Sequence, residues 1–162
     1  KRAKTPEQAL AALMRLCARA EKSEGDARRL MRGWGLAERE GEQVLARLVR
    51  DRFIDDGRYA EAFVRDKLRL SGWGEYKIRT ALQRKRIDRE LIDAALAQAD
   101  RQDMAGRLRQ QLERKMRTTR HSTQYELKTK LIRYGLSLGY DYETVVEAAS
   151  GLVTDTETCD EF

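Results

Sequence analysis

The 162-residue chain contains one proline, two cysteines and one histidine. Each scarcity excludes something. With a single proline, little in the chain breaks a helix. Cys17 and Cys159 lie far apart, so neither a disulfide framework nor a zinc-binding spacing is present. His121 stands alone in the polar stretch 117–122 and reads as a solvated loop residue rather than a ligand. No serine or cysteine has a histidine partner in sequence to activate it. Apolar runs are too short to cross a bilayer, and the pattern of a signal peptide is missing. The chain is therefore expected neither to be secreted nor to span a membrane, with the cytoplasm as its place. Gly72-Trp73-Gly74 lacks the strand and the remaining residues of a dinucleotide site, and there is no P-loop. It reads as a helix linker. No cofactor, no metal and no ATPase activity of its own are expected.

What the chain has in excess is charge. Lys, Arg, Asp and Glu make up 37% of it, against about 25% in an ordinary domain. Net charge is +6 and the pI is about 9.5. The balance points to nucleic acid, acidic protein or a membrane surface without choosing among them. It is also uneven. Residues 134–162 hold seven acids and no Lys or Arg, which leaves +13 on residues 1–133. The acidic end can steer partners, fold back on the basic body, or simply solubilise.

Apolar residues recur at i, i+3 and i+4 almost throughout, as in Leu10, Leu13, Met14 and Cys17 or Leu127, Leu131 and Ile132. No strand alternation is visible. Thr5-Pro6-Glu7-Gln8 is a helix start with a capping box, and Ser23 and Thr123 open looser ones. Asp88, Asp100 and Asp141 are further cap candidates. Gly33, Gly35, Gly72, Gly135 and Gly151 are stop signals.

The pattern also repeats. Ile78, Leu82 and Ile87 overlie Leu127, Leu131 and Leu136 at an offset of 49, and Ala27, Met31 and Leu36 at an offset of 51. Gly35-Leu36 and Gly135-Leu136 then mark the left-handed ends of equivalent helices. Arg86-Ile87 holds that place in the middle copy. There Arg86 either bears a strain on the order of 1 kcal/mol or the turn differs. The expected architecture is all-α: three tandem three-helix repeats at 5–54, 55–100 and 101–151, in an elongated, curved array. Residues 152–162 read as a frayed acidic tail.

The stretch Phe53 to Lys67, FIDDGRYAEAFVRDK, places two carboxylates beside a glycine, an arginine and a tyrosine. A metal or acid–base pair would need converging partners. The alternative is a helix start. Asp55 caps, Ile54 staples onto Tyr59, and Tyr59 and Phe63 share a face. Asp55-Asp56-Gly57-Arg58-Tyr59-Ala60, then Phe63-Val64-Arg65, Gly72-Trp73-Gly74, Ile78 and Leu82, resembles the signature of the RecX family. The likeness extends over all three repeats and is sharpest in residues 53–96. It implies an all-helical, non-enzymatic, cytoplasmic regulator that binds RecA filaments on DNA and restrains ATP hydrolysis and strand exchange. It also implies that Asp55, Asp56, Arg58, Tyr59, Ala60, Phe63 and Gly72 are architectural. The family usually has glycine where Arg86 stands and often proline where Glu75 stands, so turn geometry can differ there.

The basic residues fall into two dense clusters. Arg65, Lys67, Arg69, Lys77, Arg79, Arg84, Lys85, Arg86 and Arg89 belong to the second repeat. Arg114, Lys115, Arg117, Arg120, Lys128, Lys130 and Arg133 belong to the third, where residues 101–133 carry a local +7. A single charge run is usually a solvated face. Two on adjacent repeats suggest a shared surface that holds single- or double-stranded DNA through its phosphates, salt-sensitively and with little sequence choice. Trp73, Tyr76 and Tyr125 either stack on bases or pack the linkers. Three readings follow: a monomeric RecX-like filament modulator, favoured; an autonomous helix-turn-helix DNA binder; and a protein-only helical scaffold.

Overall fold

The structure, a computed structural model, describes residues 2–154. The acidic residues from Asp155 onward lie outside the described residues. Those described form nine α-helices and no strand: α1 (Pro6–Arg19), α2 (Glu24–Gly33), α3 (Glu38–Arg50), α4 (Asp56–Asp66), α5 (Glu75–Arg84), α6 (Arg89–Ala97), α7 (Arg101–Thr118), α8 (Gln124–Ser137) and α9 (Tyr142–Leu152). The fold is all-α and built of tandem three-helix repeats. None of these helices is long and apolar enough to cross a membrane.

The starts follow the side-chain code. Thr5 and Gln8 close a reciprocal capping box on α1, as Ser23 and Asp26 do on α2. Asp100, Thr123 and Asp141 accept from the first-turn N–H groups of α7, α8 and α9. Such caps each contribute about 1 kcal/mol.

One stop signal is misplaced. Gly135 is not a helix end; it is buried inside α8, and the left-handed residue is Gly139 at φ 97°. Helix α8 has 14 residues where α2 and α5 have 10. The extra turn shifts the end by four residues, which leaves the apolar face unchanged and therefore hides the shift from periodicity. Leu136, expected to clamp the turn, is 42% exposed, and Tyr140 is buried in its place. The equivalent turns are thus Gly35-Leu36, Arg86-Ile87 and Gly139-Tyr140. In each, the amide of the second residue returns to a carbonyl five residues back: Leu36 to Met31, Ile87 to Leu82, Tyr140 to Gly135. This is the Schellman pattern.

Arg86 adopts φ 60° in the same turn, so its backbone is the strained one rather than a different one. Arg86→Gly is expected to raise stability by about 1 kcal/mol, read as a higher urea midpoint at unchanged m-value.

The described residues form two compact units: one holds residues 2–64 with 81–97, the other residues 65–80 with 98–154. Helices α4 and α5 each contribute residues to both. In the first unit, Leu13, Ala27, Met31, Leu45, Leu48 and Ile54 form a core on which Trp34 and Phe53 pack. In the second, Leu108, Leu112, Leu127, Leu131 and Val145 form another.

Each unit also contains a joint between successive repeats. In the first, Gly25 at the start of α2 approaches the Lys85 carbonyl at the end of α5; a Cβ there would sit 3.0 Å from that oxygen. In the second, the α5 start meets the α8 end. Gly74 N donates to Leu138 O (2.7 Å) and Tyr76 N to Gly139 O (2.9 Å). Backbone carbonyls of the next repeat thus satisfy the orphan amides of α5. Lys4 N donates to Trp34 O (3.0 Å), so the N-terminal segment occupies the corresponding place on the first repeat.

Candidate nucleic-acid interface

Each aspartate of the pair accepts a backbone N–H at a helix start. Asp55 Oδ1 accepts from Arg58 N at 3.0 Å, the N-cap bond of α4. Asp56 Oδ1 accepts from Glu24 N at 2.8 Å and so caps a different helix, α2. Arg58 reaches Glu21 (2.7 Å) and the carbonyls of Arg52 and Phe53 (3.1 and 3.3 Å), closing the α3–α4 corner. Ile54, Tyr59 and Ala60 are buried, and Tyr59 stacks on Phe63 with centroids 6.1 Å apart. Gly72 ends a π-helical turn (Lys67–Ser71) at φ 65° against the Gln111 amide. Among the described residues no cluster of His, Cys, Asp or Glu could hold a metal ion.

The basic residues separate by environment. Lys85 is withdrawn from the first cluster. Its Nζ lies 3.3 Å from Asp26 and 5.5 Å from the centre of the Tyr59 ring. Burial works against its charge, but the hydrogen bond with Tyr59 and the Asp26 carboxylate raise its pKa above the ordinary lysine value. Arg84, Arg86 and Arg89 are exposed in the same unit, and Arg89 pairs loosely with Asp93 at 3.9 Å. The turn geometry alternates: Lys85 goes in, and its two neighbours go out.

In the second unit, Lys67 and Lys77 both lie over the Trp73 ring, at 4.5 and 4.6 Å from its centre. A base could stack on Trp73 only by displacing a lysine, which removes this residue from the expected stacking set. Tyr76 and Tyr125 remain open at 60% and 70% exposure. Tyr142 and Leu70, which no motif marks, are similarly open. Arg79 is tied to Glu75 (3.5 Å) and Arg65 to Asp66 (3.9 Å), while Arg69 is exposed. From the third repeat, Arg114, Arg117 and Arg120 are exposed and Lys128 is half-buried. Lys115, Lys130 and Arg133 are brought together around one shallow pocket. Sequence reasoning found these three cations but not the Thr118, Thr119, Tyr134 and Ser137 side chains between them. Hydroxyls on a helical stripe carry no signal until the facing helix is placed.

The described residues thus present two outward sets of cations, one in each unit. Such surfaces attract phosphates through charge rather than base identity.

Comparison with known families gives two matches: the second three-helix domain of RecX over residues 55–96 and the third over residues 102–148. "Regulatory protein RecX" of Clostridium botulinum is 35% identical over 96 residues, covering 57% of this chain and 44% of that protein. The Serratia proteamaculans protein of the same name is 33% identical over 104 residues, covering 64% of this chain and 60% of that one. The matches thus span less than two thirds of either relative. The crystal structure of RecX from Lactobacillus salivarius superposes with a TM-score of 0.82 over 91% of this chain and 96% of that one, at 18% identity. A second RecX crystal structure gives 0.80 at 21% identity, over 88% of this chain and 71% of that one. At these identities the likeness is one of fold.

Proposed function

Because this chain belongs to the RecX family, we propose that it is a non-enzymatic regulator that binds the RecA–DNA filament and lowers RecA ATPase and strand-exchange activity. The family match carries this reading. The two outward sets of cations support it, since a RecA filament presents DNA phosphate alongside protein. The repeats at 5–54, 55–100 and 101–151 would let one monomer contact more than one RecA protomer, in the cytoplasm. Inhibition would follow from occupancy or destabilisation of the filament, with no bond made or broken by this chain.

The test is single-strand-DNA-dependent ATP hydrolysis by the cognate RecA, titrated with this protein. Inhibition well below one chain per RecA is expected. Arg84→Glu/Arg86→Glu/Arg89→Glu should require about tenfold more protein, a loss of about 1.4 kcal/mol, with an unchanged helical CD spectrum. Lys85 is left intact because a glutamate there would face Asp26. Inhibition only once the protein coats the DNA would count against filament-directed regulation. A preferred duplex sequence bound without RecA would instead indicate an autonomous DNA-binding protein.

A further inference from the structure

We propose that the pocket between the end of α7 and the outer face of α8 is a phosphate site that seats one phosphodiester of single-stranded nucleic acid. This deepens the proposed function and rests on it. The pocket is lined by Lys115, Thr118 and Thr119 from the end of α7 and by Lys130, Arg133, Tyr134 and Ser137 from α8. Its volume is about 380 Å³, at the low end of small-molecule sites. The four α8 residues are spaced i, i+3, i+4 and i+7, so they form a single stripe.

Among the described residues no carboxylate lines the pocket. Lys115 Nζ is held over the Tyr134 ring at 5.0 Å. Lys130 Nζ is anchored by Glu126 (3.0 Å) and by the Arg120 carbonyl (2.7 Å). Arg133 is exposed, with no hydrogen bond or ion pair among the described residues. Two of the three cations are therefore pre-placed and the third is free to close on a ligand.

A helix C-terminus ordinarily repels anions. Here that objection is partly met. The Lys115 carbonyl accepts from the hydroxyls of both Thr118 and Thr119, and the Arg120 carbonyl from Lys130. The Ser137 hydroxyl donates to the Tyr134 carbonyl. These hydroxyls neutralise local carbonyls at rest and can rotate towards a bound oxyanion. Three cations and three hydroxyls around one pocket suit a tetrahedral oxyanion with several acceptor oxygens better than the two oxygens of a carboxylate.

The experiment is binding of fluorescent oligo(dT) to the full chain without RecA, across a salt series. Lys115→Ala/Arg133→Ala is expected to bind at least tenfold more weakly at low salt. The slope of log K against log salt should fall by about 0.7, the change for one lost single-strand phosphate contact. Arg133→Ala alone, which breaks no hydrogen bond or ion pair among the described residues, should give about half of that slope change. Inorganic pyrophosphate should shift the amide resonances of residues 118–119 and 133–137. Wild-type binding that the double variant retains overturns the site alone. No oligo(dT) binding by the unaltered chain overturns both the site and the DNA-contacting part of the proposed function. Loss of poly-Glu binding with oligo(dT) binding intact assigns the pocket to an acidic protein segment and overturns the phosphate reading.

Discussion

Gly139→Ala is expected to destabilise the second unit by about 2–5 kcal/mol, a large share of a typical 5–15 kcal/mol total. Two costs add. The residue sits at φ 97°, where an L side chain is strained, and a Cβ there would lie 2.4 Å from the Lys77 Cβ and 2.6 Å from its backbone nitrogen. Neither contact is with the far end of a flexible side chain, so relief requires the α5 start to move. That movement breaks the bond from Tyr76 N to Gly139 O. Gly74→Ala should behave alike, since its Cβ would meet the Gly139 carbonyl carbon at 2.5 Å. Gly106→Ala is the control. It is helical and open on all sides, so alanine should gain about 0.5–1 kcal/mol. Urea denaturation followed by CD, with amide exchange to locate the loss in residues 65–80 and 98–154, decides it. A Gly139→Ala protein as stable as the parent would remove the interlocked-backbone account of this joint.

These joints show what one sequence can and cannot reveal. Helix starts at Thr5, Ser23, Asp55, Asp100, Thr123 and Asp141 were legible because the capping partner lies within a few residues. The α5 start was not, because its orphan amides go to the carbonyls of Leu138 and Gly139, more than sixty residues on, and carbonyls carry no residue code. The end of α8 was misread for a periodic reason: a four-residue shift keeps every apolar side chain on the same face. Gly139 was visible as a glycine, but Gly135 satisfied the same pattern one turn early. The basic clusters were legible as charge and not as exposure. Lys85 looks like Arg84 and Arg86 in sequence; only the placement of Asp26, 59 positions away, turns it from a surface cation into a structural one. The convergence of Lys115, Lys130 and Arg133 had the same obstacle, since it depends on which faces α7 and α8 turn to each other.

Asp26 and Glu24, in one turn of α2, are expected to respond to pH with opposite signs. Asp26 is 7% exposed and accepts from Ser23 N (3.1 Å), Arg29 Nη2 (2.8 Å) and Lys85 Nζ (3.3 Å). Burial opposes its charge, but the Ser23 amide and the Lys85 ammonium outweigh it and hold its pKa below the ordinary carboxylate value. A depressed folded-state pKa means that the unfolded chain takes up the proton first. The stabilisation is therefore fully present above the unfolded value of about 3.9 and is lost as pH falls through the folded value. Glu24 is the reverse case. Burial, then its hydrogen bond to and repulsion from Asp56, push its carboxyl up. Its protonated form favours the fold, so that contribution is present below the unfolded value of about 4.3 and is lost as pH rises through the folded one. Asp26→Ala at pH 7 should cost about 2–3 kcal/mol, below the 3–5 of a fully buried pair because Lys85 keeps some access to solvent. Asp26→Asn should flatten the acid limb of stability below pH 4. Glu24→Gln should leave that limb steep while raising stability at pH 7, because it removes one of two facing carboxylates. Chemical denaturation from pH 3 to 8 on the three variants separates these effects. An Asp26→Asn protein with the parent's acid limb would show that the α2–α5 pin is not the group titrating there.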